Sequence, residues 1–527
     1  MQKPIILILS ASNNNIIGIN NNIPWNIKND MMRFKYYTTI GNIVNDDIMI
    51  NNIMDKEESN TISNVVIMGR KTFNSINNKP LKNRLNIVIT SKYEQMENNE
   101  NLIFLSNIKN AIYYANLLPN INNIWIIGGS SLFNDIKQIN YQYIMLTKIL
   151  KNIDMPTNNS DCSILSNIFF DEINMNTNII YQSKHTCLES NIDYEFINYK
   201  QKNNIITTNQ EQNKNNYEIP YLNLLKNILI SGDFRKTRNG FTWSDFGSQL
   251  IFDTKFGFPL LTSKKISLRI IFEELMFFIR GLTDNKILKN KNIHIWDGNT
   301  TEEFIKNNNI KHENGQLIEE NDMGPIYGFQ FRHFNAQYDR PNNIENEKYY
   351  SNKGVDQLKK VISDLQNNPF SRRILMTSYN PVQAENAVLY PCHSIVIQFY
   401  AKSSINNTLK ISVKMYQRSA DLFLGLPFNI ASTALLLYIV CDYLNINTNQ
   451  NKYVYEPDNV ILTIGDTHIY QSHIDAVLTQ LQSTVYNFPS LKINHNKEIK
   501  NIEDYEFDNI ELTDYKAEKI IRAKMIV

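Results

Sequence analysis

Four reactive residue types stand close together in the last third of the chain: a thiol, a guanidinium, a carboxylate and an amide. They belong to the segments Tyr390-Pro391-Cys392-His393, Tyr416-Gln417-Arg418-Ser419-Ala420-Asp421 and Leu426-Pro427-Phe428-Asn429. A cysteine attacks as the thiolate, and arginine charges such as Arg418 and the Arg372–Arg373 pair would hold it ionised and neutralise a phosphate. A lone cysteine is more often a small buried residue, but this combination predicts covalent catalysis on an anionic nucleotide.

A second, different constellation lies near the N-terminus. Asp30 follows Ile23-Pro24-Trp25 at the start of a predicted helix, where an isolated acid would be read as a carboxylate favoured by the helix dipole. Gly69-Arg70-Lys71-Thr72 stands where a strand passes into a helix, so backbone N–H groups and basic side chains can receive phosphates. Gly128-Gly129 lets the backbone approach a ligand closely. The chain is therefore predicted to be two enzymes joined end to end.

Length and composition agree with a two-domain protein of balanced charge. The 527 residues exceed what one hydrophobic core usually organises, and 53 basic against 52 acidic residues leave a net charge of +1. Bulk charge therefore indicates neither nucleic acid nor membrane binding. The four cysteines are widely spread without a CxxC pair, which argues against a disulfide framework or a cysteine-rich zinc site and favours a reducing, cytoplasmic location.

The pattern of elements changes along the chain. From residue 1 to about 200, short β-branched runs alternate with helix-like stretches, which predicts an α/β domain with a mixed, mostly parallel sheet; residues 193–199 are expected to supply an edge strand. Residues 201–216 are rich in Asn and Gln and predict a linker. Residues 217–527 carry longer helical segments with strands between them and predict an α+β domain. Asn-rich insertions at 42–64 and 342–353 are interpreted as surface loops.

The first region resembles dihydrofolate reductase over essentially residues 1 to 200. The resemblance rests on Ile23-Pro24-Trp25, Asp30, Phe34, Met68-Gly69-Arg70-Lys71-Thr72, Pro80-Leu81-Lys82-Asn83-Arg84, Ile127-Gly128-Gly129-Ser130-Ser131 and Thr147. It implies hydride transfer from NADPH to a pterin held by Asp30, whose carboxylate would accept paired N–H bonds and help protonation at N5. The implied substrate contacts are Trp25, Phe34, Ile76, Arg84, Ile127 and Thr147, with Arg84 on the folate α-carboxylate. The implied NADPH contacts are Gly18, Gly69, Arg70, Lys71, Thr72, Ser91, Lys92, Gly128, Gly129 and Ser130.

Residues 217 to 527 resemble thymidylate synthase over nearly their full length. Beside the Cys392 segment, the matching motifs are Arg238-Asn239-Gly240, Phe258-Pro259-Leu260-Leu261-Thr262, Glu273-Glu274-Leu275, Ile295-Trp296-Asp297, Gly324-Pro325-Ile326-Tyr327-Gly328 and Gly465-Asp466-Thr467-His468-Ile469-Tyr470. The resemblance implies reductive methylation of dUMP, with 5,10-methylenetetrahydrofolate giving both the carbon and the hydride. Cys392 would attack C6 of the uracil, while Glu274 and Tyr327 would assist proton transfer. The amide of Asn429 suits uracil better than cytosine, which argues against the related hydroxymethylase.

The same resemblance assigns the remaining ligand contacts. The phosphate would be held by Arg238, Arg418 and Ser419, with Arg372 and Arg373 reaching in from the other subunit of a homodimer. His468 and Tyr470 would bond the sugar, His393 would join the substrate pocket, and Asp421 with Trp296 would contact the folate. Departures from the usual family pattern are Ser10, Phe133, Lys265, Phe331 and Ile526.

The two regions together resemble the bifunctional reductase–synthase family that protozoa encode as one chain. The second region would release dihydrofolate and the first would restore tetrahydrofolate, without a metal ion and without an obligatory nucleic-acid or membrane partner. An alternative of another class is a nucleotide- or RNA-binding regulatory protein that has lost catalysis. The intact Asp30, Cys392, Glu274 and Asn429 disfavour that alternative.

Overall fold

The computed structural model describes residues 2–39, 62–135, 139–155, 162–202, 217–343, 349–447, 453–495 and 497–526. The chain divides into two compact units, Met1–Glu211 and Gln212–Val527. The predicted linker lies outside the described residues from position 203 onward, as do most of the insertion at 42–64 and part of that at 342–353. The domain boundaries proposed from the sequence therefore stay a prediction.

The first unit is built around an eight-stranded sheet. Its strands are β1 (Ile5–Ser12), β2 (Ile16–Ile19), β3 (Asn64–Gly69), β4 (Leu85–Ile89), β5 (Leu102–Leu105), β6 (Asn123–Gly128), β7 (Tyr143–Ile149), β8 (Cys162–Ile164), β9 (Thr177–Cys187) and β10 (Ile192–Gln201). Its helices are α1 (Lys28–Thr39), α2 (Arg70–Ser75), α3 (Ile108–Leu117), α4 (Ser130–Asn134) and α5 (Asn167–Asn176). Strands β2 and β8 form a separate two-stranded pair.

The sheet has the order β5-β4-β3-β6-β1-β7-β10-β9 and is mixed but mostly parallel, as the sequence predicts. The six strands from β5 to β7 are parallel to their neighbours, whereas β10 runs antiparallel to both β7 and β9. The central strands are apolar on both faces because helices cover both sides of a parallel sheet. Since parallel strands end at one edge, the residues that follow β1, β3 and β6 are brought together there.

One predicted strand has a different place in the sheet. Residues 193–199 do form a strand, but β10 is not the edge, because β9 pairs along its full length from Thr177 to Cys187. Strand β9 is mostly exposed and polar, so it lacks the apolar alternation by which strands are found in a sequence. The expectation of an edge strand at 193–199 is therefore wrong, and the edge belongs to β9.

The second unit has helices around a six-stranded sheet, which confirms the predicted α+β class. Its strands are β11 (Asp233–Thr237), β12 (Gly240–Asp253), β13 (Leu375–Met376), β14 (Val396–Ser403), β15 (Thr408–Asp421), β16 (Val454–Tyr470), β17 (Ser490–Ile493) and β18 (Ile510–Thr513). Its helices are α6 (Ile219–Ser231), α7 (Leu268–Ile279), α8 (Lys286–Asn290), α9 (Glu302–Asn307), α10 (Gly328–His333), α11 (Gln357–Asn367), α12 (Gly425–Asn447) and α13 (Ile474–Leu481). The main sheet has the order β11-β12-β16-β15-β14-β13, and β17 pairs with β18.

Helix α12 is the central helix of the second unit. It packs on β15, β16 and α7, and it is apolar nearly all round, as expected of a helix enclosed by a core. Among the described residues, α12 is the one helix that is long enough and apolar enough to cross a membrane. However, 67% of its most apolar segment is buried inside the fold. Its apolar character therefore has a sufficient explanation in core packing.

Candidate active sites

The first unit contains a cavity of about 810 Å³ at the edge of the sheet where its parallel strands end. Most residues predicted for this site line it: Gly18, Asp30, Phe34, Gly69, Arg70, Lys71, Thr72, Ile76, Ser91, Lys92, Ile127, Gly128, Gly129 and Ser130. One part of the cavity wall thus has a carboxylate among apolar side chains, and another part has basic residues and glycines. Such a cavity can take a flat heteroaromatic ring together with a phosphorylated group.

The carboxylate of Asp30 is held by hydroxyl groups from neighbouring strands. Thr147 Oγ1 donates to Asp30 Oδ1 at 2.6 Å, and Thr147 lies opposite Ser10 in the parallel pairing of β1 and β7. Burial raises the pKa of Asp30, while Thr147, the charge of Arg33 and a hydrogen bond from Ser10 act in the opposite direction. Trp25 Nε1 also donates to Ser10 Oγ at 2.8 Å, so the unusual serine joins Trp25 to the carboxylate.

At the glycine end of the cavity, an added side chain would press against Thr72. A Cβ at Gly128, whose φ is +133°, would lie 3.2 Å from Thr72 Oγ1, and a Cβ at Gly129 would lie 3.3 Å from the same atom. Helices α2 and α4 both begin here, because β3 and β6 are adjacent strands that end together. Space kept free by glycine beside a threonine hydroxyl and two basic residues fits a bound phosphate group.

Three predicted substrate contacts do not line the cavity: Trp25, Arg84 and Thr147. Trp25 and Thr147 act through Ser10 and Asp30, as described above. Arg84 is buried and donates to Thr38 Oγ1 at 2.6 Å and to the carbonyl of Lys82 at 2.9 Å. To bind a folate carboxylate as predicted, the Arg84 guanidinium would have to use its remaining N–H groups or give up one of these two hydrogen bonds.

In the second unit, the predicted ligand residues gather at one end of the main sheet. Strand register places Asp421 opposite His468, and Ser419 opposite Asp466. The antiparallel pairing of β12 with β16 places Thr242 opposite Tyr470, so the β11–β12 turn with Arg238 lies at the same end. The His468 and Tyr470 rings meet edge to face at 5.0 Å. Residues far apart in sequence thus form one polar surface.

Cys392 lies half-buried beside this surface. The Tyr327 hydroxyl is 3.4 Å from Cys392 Sγ and accepts from the Cys392 backbone N–H at 3.3 Å. Arg418 donates its backbone N–H to the Cys392 carbonyl at 2.7 Å and its Nε to the Pro391 carbonyl at 3.1 Å. Burial raises the pKa of Cys392, and the Tyr327 bond and the Arg418 charge oppose this without reversing it. Arg418 thus favours the ionised thiol, in the predicted direction, but its charge does not offset the effect of burial.

Glu274 faces the same region from helix α7. Its Oε1 accepts from Trp296 Nε1 at 2.8 Å, and burial raises the pKa of Glu274 to about 7. Its neighbour Glu273 is instead paired with Lys291 at 2.6 Å. A carboxyl with a pKa near neutrality can both give and take a proton, so of the two glutamates Glu274 is suited to proton transfer.

His393 and Asn429 are two further predicted residues of this site. The His393 ring stacks on Tyr327 at 4.1 Å, and burial lowers the pKa of His393 to about 4. Asn429 Oδ1 accepts from Gln417 Nε2 at 3.0 Å, which assigns the amide oxygen and leaves it a second lone pair. A neutral imidazole and an oriented amide suit recognition of an uncharged base.

Arg372 and Arg373 behave differently from the other predicted residues. Both are exposed, just before the edge strand β13. In the described parts of the chain, no hydrogen bond or ion pair joins either side chain to Cys392 or Arg418. The single chain therefore does not bring them into its own site.

Several residues at the sites escaped the sequence reasoning. Asp466 binds His468 Nδ1 at 2.7 Å and also pairs with Arg235. His473 lies 3.6 Å from Asp421 and contacts the Lys524 carbonyl at 2.8 Å, which ties the C-terminal segment to the site. Although burial alone would raise it, the pKa of Asp421 is lowered by His473 and backbone N–H groups. Asp466 lies in the motif Gly465-Asp466-Thr467-His468, two residues before His468. Residues two apart on a strand point to the same face, and this spacing could have identified Asp466 as a partner of His468.

Within the described ranges, no group of three or more His, Cys, Asp or Glu side chains is placed to hold a metal ion. All four cysteines, which lie in those ranges, are free thiols.

Comparisons with known proteins agree with both sites. The thymidylate synthase family model matches residues 219–527, and the dihydrofolate reductase family model matches residues 4–46 and 50–201. A bifunctional dihydrofolate reductase-thymidylate synthase of Paramecium tetraurelia is 34% identical, covering 100% of this chain and 99% of that protein. Proteins of the same name from Zea mays (31% identical, 100% and 97% covered) and Plasmodium berghei (32%, 94% and 91%) are also similar. The comparisons give no support to a binding protein without catalysis, and the chain belongs to the bifunctional dihydrofolate reductase–thymidylate synthase family.

Proposed function

We propose that Cys392 and Asp30 are the central residues of two consecutive reactions carried by this chain. In the first, dUMP and 5,10-methylenetetrahydrofolate give dTMP and dihydrofolate. In the second, dihydrofolate is reduced to tetrahydrofolate with NADPH. The observation that carries the proposal is the pairing of two unlike sites: a thiol between Tyr327 and Arg418, and a lone carboxylate in a cavity with a glycine-rich basic end.

At the synthase site, the Cys392 thiolate would add to C6 of the uracil and leave C5 as the nucleophile toward the methylene carbon of the folate. C5 then loses its proton, tetrahydrofolate is eliminated, and hydride from that folate reduces the exocyclic methylene as the thiolate leaves. Glu274 can pass protons at pH 7 because its pKa is about 7. Burial raises the pKa of Cys392, so we expect its ionisation to depend on the opposing charge of Arg418.

The substrate contacts at this site follow from the same end of the sheet. Arg238, Arg418 and Ser419 would hold the dUMP phosphate, and His468 and Tyr470 its sugar. Asp466 supports the role of His468, because its bond to Nδ1 leaves Nε2 directed to another partner. Asn429 would read the uracil edge, while Asp421 and Trp296 would contact the folate.

At the reductase site, Asp30 would accept N–H bonds from the pterin and orient the ring. Trp25, Phe34, Ile76 and Ile127 would surround it, and Arg84 would hold the folate carboxylate. When bound, NADPH supplies the hydride. Its phosphates would be held by Arg70, Lys71, Thr72, Ser91 and Lys92. The rest of the cofactor would contact Gly18, Gly69, Gly128, Gly129 and Ser130. The room kept by Gly128 and Gly129 beside Thr72 supports this placement.

We also propose a homodimer that forms through the main sheet of the second unit. One face of this sheet is buried under α12, whereas the other exposes large apolar side chains, among them Tyr400 at 65% of its surface. Ile251 and Tyr416 extend this face. Large apolar side chains exposed on one face of a sheet indicate a binding surface, and a second copy, placed by two-fold symmetry, would bring identical faces together.

The free thiols support a reducing, cytoplasmic setting. The proposed steps rest on a thiol, carboxylates and hydride transfer, and so they require neither a metal ion nor nucleic acid.

A coupled assay tests the proposal. Purified protein is mixed with dUMP, methylenetetrahydrofolate and NADPH, and dTMP formation and NADPH loss are followed together. We expect Cys392→Ala to abolish dTMP formation but still to reduce added dihydrofolate, and Asp30→Asn to form dTMP while dihydrofolate accumulates. If either well-folded variant lost both activities, or kept both, the assignment of two separate centres would be contradicted.

A further inference from the structure

Arg33 is a buried cation that the proposed mechanism does not use. It lies on α1, one turn after Asp30, and only 4% of its surface is exposed. Its guanidinium packs on the Phe196 ring at 4.5 Å and donates through Nη2 to Asn198 Oδ1 at 2.5 Å. In the described parts of the chain, no carboxylate oxygen forms a direct ion pair with it. A buried charge without a direct partner is unfavourable, so its position calls for an explanation.

The second guanidinium contact leads to the site. Arg33 Nη1 donates to Thr147 Oγ1 at 3.3 Å, and Thr147 Oγ1 donates to Asp30 Oδ1 at 2.6 Å. A guanidinium can only donate, so Thr147 must accept from it and is left to give its own proton to Asp30. The chain of bonds therefore has one direction, and it ends on the carboxylate.

The other titratable groups around Arg33 and Asp30 carry no competing positive charge. They are Tyr37 on α1, Tyr181 and His185 on β9, and Tyr194 on β10. Burial and the Arg33 charge lower the pKa of His185, which keeps it neutral at physiological pH. Arg33 is thus the cation that balances Asp30, and it lowers the pKa of Asp30 against the effect of burial.

We propose that Arg33 is a positioning residue of the reductase site, which holds the Thr147 hydroxyl toward Asp30 and supplies a positive charge that favours the ionised carboxylate. Arg33 does not line the cavity, so it acts through Thr147 and Asp30 and not by touching a ligand. The inference rests on the proposed role of Asp30. Its functional consequence is that Arg33 sets the lower end of the pH range in which the site binds a pterin-like ring.

The test uses the full chain and 2,4-diaminopteridine, a probe whose protonated ring donates paired N–H bonds to a carboxylate. Its affinity is measured by quenching of tryptophan fluorescence from about pH 4.5 to about pH 8 at constant ionic strength. In the plot of affinity against pH, the acid limb is the part where affinity falls as Asp30 takes up a proton. This limb should be absent in Asp30→Asn, which identifies it. Arg33→Met should move this limb upward by about one pH unit, because an adjacent arginine lowers a carboxyl pKa by that order.

Two controls separate charge from packing. Arg33→Lys keeps the positive charge and should return the limb toward its original position. Lys28→Met removes an equal charge from an exposed site on the same helix and should leave the limb in place, since solvent screens it. Retained NADPH binding reports that the first unit is folded.

Thr147→Val provides a second route if Arg33→Met does not fold. It breaks the chain of bonds while Arg33 remains, and it should also raise the limb, with recovery in Thr147→Ser. If Arg33→Met or Thr147→Val leaves the limb unmoved, or if Arg33→Lys shifts it as far as Arg33→Met, the positioning role is wrong. If Asp30→Asn binds the probe like the parent protein, the proposed function of Asp30 fails instead.

Discussion

Two adjacent glutamates on helix α7 show how local surroundings decide which residue does chemistry. Glu273 and Glu274 are identical in type and neighbouring in sequence, but α7 directs them to different partners. Glu273 forms an ion pair with Lys291, whereas Glu274 accepts one neutral hydrogen bond from Trp296. Burial without a neighbouring cation destabilises an ionised carboxylate, so the pKa of Glu274 is raised to about 7.

We therefore expect Glu274→Gln to lower the synthase kcat by on the order of 100-fold or more, the usual contribution of a general acid–base group. A raised pKa means that the carboxyl keeps its proton below about pH 7 and loses it above. Glutamine cannot exchange a proton, so the limb of the pH–rate profile with its midpoint near 7 should disappear. The measurement is dTMP formation against pH under saturating substrates.

Glu273→Gln is the matched control for this change, since it removes the same charge from the next position. It should keep the limb near pH 7 and lose some thermal stability through its broken pair with Lys291. A profile whose limb persists in Glu274→Gln, or vanishes in Glu273→Gln, would assign the proton transfer to another group.

At the scale of elements, the synthase site depends on a loop with no regular structure. Tyr327 stands at φ +31° between Gly324 and helix α10, and Met323 accepts a backbone bond from Val388 at 3.1 Å, in the segment that leads to Cys392. Gly324 has φ +71°, and a Cβ there would lie 2.4 Å from the Asn386 carbonyl oxygen. The loop can therefore approach this segment only with glycine at 324.

Gly324→Ala is expected to displace Tyr327 from Cys392 and to lower synthase activity by on the order of 100-fold, as a misplaced catalytic group does. Gly315→Ala is the matched control: Gly315 also has a positive φ, +85°, but no atom lies within 4 Å of its added Cβ. It should cost only the conformational strain of about 1–2 kcal/mol. Reductase activity of the same chain serves as the internal reference, and equal synthase losses in both variants would refute the steric argument.

The elements that the sequence predicted well are those with a strong local signal. Strand β4 and helix α3 belong to the predicted alternation of β-branched runs and helix-like stretches, because an apolar run or a capped amphipathic stretch is contained in the segment itself. Strand β9 was missed because its stability comes from pairing with β10, and its exposed polar residues show no such pattern. Tertiary pairing is not contained in a local window.

The candidate sites divide along the same line. Asp30, Cys392 and Glu274 stand in short motifs, and the resemblance of those motifs to known families identifies them in the sequence. Arg33 and His473 could not, because an arginine in the middle of a polar helix normally lies in solvent, and its burial against Phe196 depends on a strand that is distant in sequence. Arginine is rarely fully buried, so only the folded structure identifies this one.

At the scale of the whole molecule, the two arginines beside β13 raise the question of which active site they serve. Arg372 and Arg373 are exposed, and in the described residues they form no bond with the Cys392 segment of their own chain. If two copies join through the apolar face of the main sheet, these arginines can reach a dUMP phosphate in the other copy. Each site would then need residues from both subunits.

Mixing two inactive variants tests this arrangement. One chain carries Cys392→Ala and the other carries Arg372→Met with Arg373→Met; each homodimer alone should make little dTMP. In a mixed dimer, the chain with the intact thiol receives arginines from the Cys392→Ala chain, so one of its two sites is complete. Random exchange makes half the dimers mixed, so about one quarter of the parental activity should return.

The control pair is Cys392→Ala with Glu274→Gln. Both residues belong to the same subunit's site, so neither site of the mixed dimer is complete and no activity should return. If the arginines instead serve their own chain, the first pair also stays inactive after exchange, because one subunit lacks the thiol and the other lacks its phosphate ligands. Restored activity in the first pair and not in the second therefore distinguishes a shared site from a self-contained one, and the reductase activity, unaffected by any of these changes, confirms equal amounts of folded protein.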